Sequence, residues 1–233
     1  MTGEQFVVFI DILGFKERVF RNSHEVVEKE LFELNEEIIQ LVNNCDGNNL
    51  VVLENAEEGQ EKRSIIDGDK TPIKLAQFSD SIVLFSKDIS SDSLNLIAQV
   101  ASRIMETSLS KGYPLKGALA QGTLTYDKNK QLFFGRALID AYLLEEEVFY
   151  YGIAVHHSAE KMVKEVGDKN LFCNNELFFK SGIIKHYEVC WYNGEGKHRL
   201  IAQYLDKIRL SVSGQPRKYI DNTLYLIDKV SQE

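Results

Sequence analysis

Cysteine, proline and tryptophan are scarce in this 233-residue chain, numbering three, three and one. Cys45, Cys173 and Cys190 stand far apart with no CxxC pair. The sequence therefore predicts neither a disulfide framework nor a zinc site, and a reducing compartment suits it. Basic residues are outnumbered, 27 Lys plus Arg against 35 Asp plus Glu, for a net charge of -8. That balance argues against a broad nucleic-acid footprint, though not against a nucleotide held through metal ions. Apolar runs are short and broken by charge, so no membrane span is expected. The opening residues, MTGEQFVVFID, lack a basic segment leading to an apolar stretch and a cleavage site, which makes a cytoplasmic setting the expectation. No GxGxxG, Walker loop, Ser-His-Asp order or Cys-His dyad is visible, and the common signatures of those chemistries are missing with them.

What the chain does have is two carboxylates in apolar surroundings. Asp11 sits inside FVVFIDILGF, residues 6–15, and Asp80 inside LAQFSDSIVLFS, residues 75–86. Burying an unpaired carboxylate costs several kcal/mol, so each needs compensation. If the first strand and the segment around Asp80 are sheet neighbours, the two side chains converge at one edge. Their repulsion is then relieved by a divalent cation, and oxygen ligands select Mg²⁺ or Mn²⁺. The ILGF that follows Asp11 supplies a turn at a helix start, where free amides receive phosphate oxygens. Spacing alone leaves another reading open. A strand aspartate also caps turns or pairs with Lys or Arg, and an aspartate in Ser-Asp-Ser is commonly a turn residue.

The order of elements points to one α+β domain spanning 1–233. A strand at about Gln5–Ile12 leads into a helix, HEVVEKELFELNEEIIQLVNN, with Val27, Leu31, Leu34, Ile38 and Leu41 at helical spacing. Residues 45–71 are polar and acidic, a surface excursion around one short strand, NLVVLE. Ile73–Phe78 and Ile82–Phe85 make a hairpin with Asp80 at its tip. A second helix is capped by Ser91 or Asp92 and stopped by Gly112. PLKGALAQGTLTYD reads as a strand, FFGRALIDAYLLEEE as a helix opened by Gly135, VFYYGIAVHH as a strand and SAEKMVKEVGD as a short helix. IKHYEVCWYN and RKYIDNTLYLIDKV close the chain as strand and helix. The sheet is expected to carry its helices on one face. His156-His157 lacks ligand-spaced partners and reads as surface or interface structure, and LLEEEVF reads as a solvated helix end.

FIDILGF resembles the F-x-D-I-x-G-F motif that opens the catalytic domain of class III nucleotide cyclases. FSDSIVLF is similar to their second metal-binding hairpin, and LKGALAQGTLTYD with FFGRALIDAYLLE to their later strand–loop–helix segment. The wording FSDSI with GRALIDAYLLE most resembles the bacterial pyrimidine cyclases of Pycsar antiphage systems. The similarity covers a core of about residues 5–160, leaving 161–233 as a C-terminal extension. It implies a ferredoxin-like βαββαβ core with an antiparallel-rich sheet. It further implies two Mn²⁺ or Mg²⁺ ions held by Asp11, Asp80 and the Ile12 carbonyl, and amides around Leu13, Gly14, Phe15 and Lys16 on the β- and γ-phosphates. The implied reaction is attack of the ribose 3′-hydroxyl of UTP or CTP on the α-phosphate, with loss of pyrophosphate. The implied assembly is a homodimer with both sites at the interface, and the product is an antiphage signal read by a separate effector.

The departures from that pattern are specific. Where purine cyclases carry Lys or Glu to read the base this chain has Ala76, and their second base-reading position falls on Leu132. Neither matches a purine edge, which favours a pyrimidine; the resemblance alone puts UTP slightly ahead of CTP. The Asn and Arg that orient the ribose and steady the transition state fall on Ile139 and Leu143. Arg136, Lys116 and Lys16 are the candidate replacement cations, and Tyr142 a candidate for stacking on or hydrogen-bonding the nucleoside. Two other readings stand beside this one. One is a catalytically idle cyclase-like nucleotide-binding or regulatory module. The other is a different two-metal phosphoryl-transfer enzyme, which would call for a G-G-D/E-E-F-like turn that QFSDSIV does not supply.

Overall fold

A computed structural model describes residues 2–45, 72–127, 132–194 and 196–230. Its elements run β1 (Thr2–Ile12), α1 (Phe15–Arg21), α2 (His24–Asn43), β2 (Ile73–Phe78), β3 (Ser81–Ser86), α3 (Ser91–Ser110), β4 (Leu115–Asp127) and β5 (Leu132–Gly135). There follow α4 (Arg136–Glu147), β6 (Ile153–Val155), α5 (His157–Val166), β7 (Phe172–Phe179), β8 (Gly182–Val189), α6 (Lys197–Arg209) and α7 (Gln215–Val230). The strands form one sheet in the order β2-β3-β1-β4-β6-β8-β7, with β5 paired to β4. Every neighbouring pair is antiparallel except β4–β6. This is the expected mixed α+β architecture.

β1 is central, and its residues alternate between two cores. Phe6, Val8, Ile10 and Ile12 join the large core built with α2 and α3, whereas Val7 and Phe9 join a smaller core with Ala137 and Ala141 of α4. The expectation that all helices lie on one face is therefore corrected for α4, which covers the opposite face. The continuous apolar run of β1 is the physical reason, since a strand buried on both faces has no polar alternation to keep. α4 is brought in tightly by Gly135, where a Cβ would lie 2.2 Å from the Thr123 carbonyl oxygen.

Other boundaries differ in instructive ways. α3 is capped by the Ser90 hydroxyl, which accepts from the Ser93 amide, one residue ahead of the expected caps. Only Ile153–Val155 of the VFYYGIAVHH run is strand. β7 and α6 were not expected. In β7 the Asn174-Asn175-Glu176 stretch hides the apolar alternation, and in α6 only Leu205 is fully buried. α7 is tied to the chain ahead of β6 through the Thr223 hydroxyl, which accepts from the Tyr151 amide at 2.8 Å, and through Asn222, which donates to the Phe149 carbonyl at 2.6 Å. The acidic excursion at 45–71 and its NLVVLE strand lie outside the described residues, Cys45 excepted.

The cysteine reading is also corrected. Cys173 and Cys190 form a disulfide, with Cα atoms 5.8 Å apart, while Cys45 is free and buried. Their separation of 17 residues gave no hint of contact, but the β7–β8 hairpin folds one cysteine back beside the other. No described helix is long and apolar enough to cross a membrane.

Candidate active site

The end of β1 is where the two aspartates meet. Asp11 lies opposite Ser81 of β3 on one side and Lys116 of β4 on the other. One residue on, the Ile12 amide donates to the Asp80 carbonyl at 3.1 Å, which holds the β2–β3 turn against the tip of β1. That turn is tight enough to force Ser79 to a positive φ of 56°. Alternation along β1 gives Asp11 the same face as Val7 and Phe9, the face covered by α4.

Asp11 is half-buried, and its carboxyl is pushed up to about 7. Burial is the main cause, followed by the charges of Glu145 and Asp80, while Lys116 and a hydrogen bond from the Ser81 hydroxyl pull the other way. The two predicted aspartates thus act on each other across the turn. A carboxylate disfavoured by two like charges is short of a cation. Among the described residues no group of three or more His, Cys, Asp or Glu side chains is placed to hold a metal ion. A cation here would take two carboxylates and complete its shell from main-chain, phosphate or water oxygens. That donor set fits Mg²⁺ or Mn²⁺ and does not suit zinc.

The turn after Asp11 forms as expected, with Gly14 at φ 76° capping α1. The Leu13 amide is not available to a phosphate, because it donates to the Pro114 carbonyl at 2.9 Å. The first intrahelical bond is from the Arg18 amide to the Gly14 carbonyl, so the Phe15 and Lys16 amides precede the helix ladder. Lys16 is exposed, its ammonium 6.0 Å from the centre of the Phe20 ring.

The candidate cations separate sharply. Lys116 is buried at 7 % exposure, donates to the Glu145 carbonyl oxygen at 2.8 Å and lies 2.8 Å from Glu145 Oε1. It is occupied inside the protein and does not present its charge to a substrate. Arg136 is exposed and paired with Asp140 at 3.4 Å. It stands at the far end of α4 from Glu145, roughly 13 Å along the axis at the helical rise per residue, so the fold does not bring it to its own chain's aspartates. Tyr142 does approach them. Its ring meets Phe9 edge-on at 5.4 Å, and its hydroxyl hydrogen-bonds Glu146.

Glu145 was missed by sequence reasoning. LLEEEVF behaves as a solvated end at Glu146 and Glu147, but Glu145 is 3 % exposed. Its partner Lys116 is 29 residues away in sequence, so no local pattern announces the pair. Ser81 was legible only as part of the hairpin. His156 caps α5 by accepting from the Ser158 amide at 3.3 Å, and burial and the neighbouring His157 lower its pKa.

Behind the Gly14 turn lies a cavity of about 440 Å³ lined by Leu13, Gly14 and Glu17 with Tyr151, Tyr204 and Tyr219 among its other walls. Its lining includes a carboxylate and no Lys or Arg, so it does not suit a triphosphate. Asp11 and Asp80 are each only partly exposed. On the face of α4 turned away from Ala137, Ala141 and Glu145, Ile139 and Leu143 are more than half exposed, with Leu132 and Phe134 of β5 also uncovered.

No protein-family model matches the sequence, and no curated protein matches it. Solved structures do match the fold. The guanylate cyclase domain of RhGC from Catenaria anguillulae, in complex with GTP, superposes with a TM-score of 0.57 at 15% identity, over 82% of this chain and 98% of that one. The adenylyl cyclase CyaB from P. aeruginosa gives a TM-score of 0.55 at 14% identity, over 84% and 96%. The dimeric guanylyl cyclase domain of the RhoGC fusion protein from Blastocladiella emersonii gives 0.56 at 16%, over 81% and 97%. The fold is that of nucleotide cyclase catalytic domains. At such identities the likeness speaks for the fold, and the chemistry has to be argued from the site.

Proposed function

We propose that this chain is a pyrimidine nucleotide cyclase, converting UTP, and less readily CTP, to the 3′,5′-cyclic monophosphate and pyrophosphate. The observation that carries the reading is the meeting of Asp11 and Asp80 beside an open helix start, within a cyclase fold. Asp11, Asp80 and the Ile12 carbonyl would hold two Mg²⁺ or Mn²⁺ ions, whose bound chemistry is to acidify the ribose 3′-hydroxyl and offset charge on the phosphates. The Phe15 and Lys16 amides, at the positive end of α1, hold the β- and γ-phosphates. Ala76 and Leu132 provide no groups for a purine edge, so ATP and GTP are bound without specific hydrogen bonds. Tyr142 contacts the nucleoside in this reading, which its position one turn from Glu145 and against Phe9 supports.

The active form is a homodimer with both sites at its interface. The uncovered apolar side chains around Ile139 and Leu143 support a second copy as their cover. In that arrangement Arg136, remote from its own aspartates, serves those of the partner and replaces the transition-state arginine whose position is Leu143. The likeness of FSDSI and GRALIDAYLLE to Pycsar cyclases supports an antiphage signal detected by a separate effector. A second reading, an idle nucleotide-binding module, is favoured by one observation: Ile139 and Leu143 cannot orient a ribose or steady charge.

The test is incubation of the purified protein with each of ATP, GTP, CTP and UTP plus Mn²⁺, followed by chromatography of the products. Cyclic UMP and pyrophosphate are expected, with purine turnover at least roughly a hundredfold slower, as when a base finds no matching polar groups. Nucleotide binding with no cyclic product from any of the four would establish the idle module instead.

A further inference from the structure

We infer that Glu145 is a positioning residue that holds Lys116 away from Asp11 and so keeps the Asp11 carboxylate available to a cation. The inference rests on the metal-binding reading of Asp11 given above. Lys116 is the direct cross-strand partner of Asp11 in the β1–β4 ladder. Opposite charges so placed, with Cβ atoms about 5 Å apart, ordinarily pair. A lysine in contact with Asp11 would occupy the position a divalent ion needs.

The ion pair Lys116 makes is with Glu145. The reason lies at the C-terminal end of α4. The Glu145 carbonyl belongs to the last turn, where main-chain oxygens lack helical partners and the helix end is negative. It accepts from Lys116 Nζ at 2.8 Å and from the Val148 amide at 3.1 Å. The Glu145 carboxylate then adds a full charge 2.8 Å from the same ammonium. With both groups nearly fully buried, neither can turn to water for an alternative. Asp11 is left with the Ser81 hydroxyl as its side-chain hydrogen-bond donor. A substitution that uncharges Glu145 frees Lys116 to swing onto its ladder partner.

Direct Mn²⁺ binding, read by electron paramagnetic resonance of the free ion without nucleotide, tests this on four proteins: the wild type, Asp11→Asn, Glu145→Gln and Glu145→Gln/Lys116→Met. The wild type should bind and Asp11→Asn should not. Glu145→Gln, still folded by circular dichroism, should bind roughly tenfold or more weakly, the usual cost of losing an outer-shell partner. The double variant should return to within about threefold of the wild type, because the competing ammonium is gone. Wild-type affinity in Glu145→Gln, or a double variant as weak as the single, overturns the inference and leaves the metal site standing. Should Glu145→Gln fail to fold, the double variant decides alone: its buried pair is uncharged, and a tenfold loss in it refutes the inference. If the wild type binds no better than Asp11→Asn, the functional reading and the inference fall together.

Discussion

The Ile12 amide donates to the Asp80 carbonyl across 3.1 Å, and this one main-chain bond joins two stretches of sequence nearly seventy residues apart. It sets the β2–β3 turn against the tip of β1, so that Asp80 in the turn ends as a neighbour of Asp11 on the strand. Two like charges placed together at the mouth of a helix start are a cost to folding. Their placement makes physical sense if a cation relieves it.

Replacing either aspartate should therefore separate activity from stability. Asp11→Asn and Asp80→Asn are each expected to lower cyclisation at least about a hundredfold, matching the several kcal/mol of charge stabilisation a bound divalent ion supplies. The melting temperature of Asp11→Asn should not fall at pH 8, because the variant removes a half-buried carboxylate that the fold disfavours. Product assays beside calorimetric melts check both halves.

Shared sites make a different demand. Asp11→Asn and Arg136→Ala should each be inactive alone, yet a re-equilibrated equimolar mixture should regain activity. In half of the dimers the two lesions fall in one site and leave the other whole, so about a quarter of wild-type turnover is expected. A mixture as inactive as its components would place Arg136 and Asp11 in the same protomer's site, and an active Arg136→Ala would put that residue outside catalysis.

Glu188 sits far from this chemistry and gives a pH signature of its own. It is fully buried in β8, and its carboxylate accepts from the Tyr192 hydroxyl at 2.5 Å and the Asn175 amide at 2.9 Å. Burial pushes its carboxyl from 4.5 up to about 7, against the lowering effect of hydrogen bonds from Tyr192 and Asn175. The folded state therefore holds a proton that the unfolded state has released. Its share of the stability should decline as pH rises from 4.5 to 7 and level off above, by roughly 3 kcal/mol. Glu188→Gln keeps the hydrogen bonds and should remove that share, leaving the shallower slope that Asp11, shifted the same way, still contributes. Denaturant titrations of both proteins between pH 4.5 and 8.5 measure the difference.

Much of this was open to reading along the chain. The strand carrying Asp11, the hairpin carrying Asp80, α2, α3, β4 and α4 all announce themselves by apolar period and by glycine or serine at their ends. The Gly14 turn does too. What stayed hidden depends on partners distant in sequence. Asn175 breaks the pattern of β7 because it is buried as a donor to Glu188, and the pattern makes sense only once β8 is beside it. Cys173 and Cys190 look unrelated until the same hairpin closes. Glu145 looks solvated beside Glu146 and Glu147, and only the register of β4 supplies its lysine. Leu13 looks like one more free amide until Pro114 arrives to accept from it.

Crystals grown with Mn²⁺ and a non-cyclisable UTP analogue, with data collected at the manganese absorption edge, would show whether Asp11 and Asp80 grip divalent cations beneath a pyrimidine triphosphate. Anomalous density is expected bonded to carboxylate oxygens of both aspartates and to the nucleotide's phosphates. Manganese bound to the nucleotide with both side chains turned away, or no anomalous density near them at full occupancy of the analogue, would contradict it.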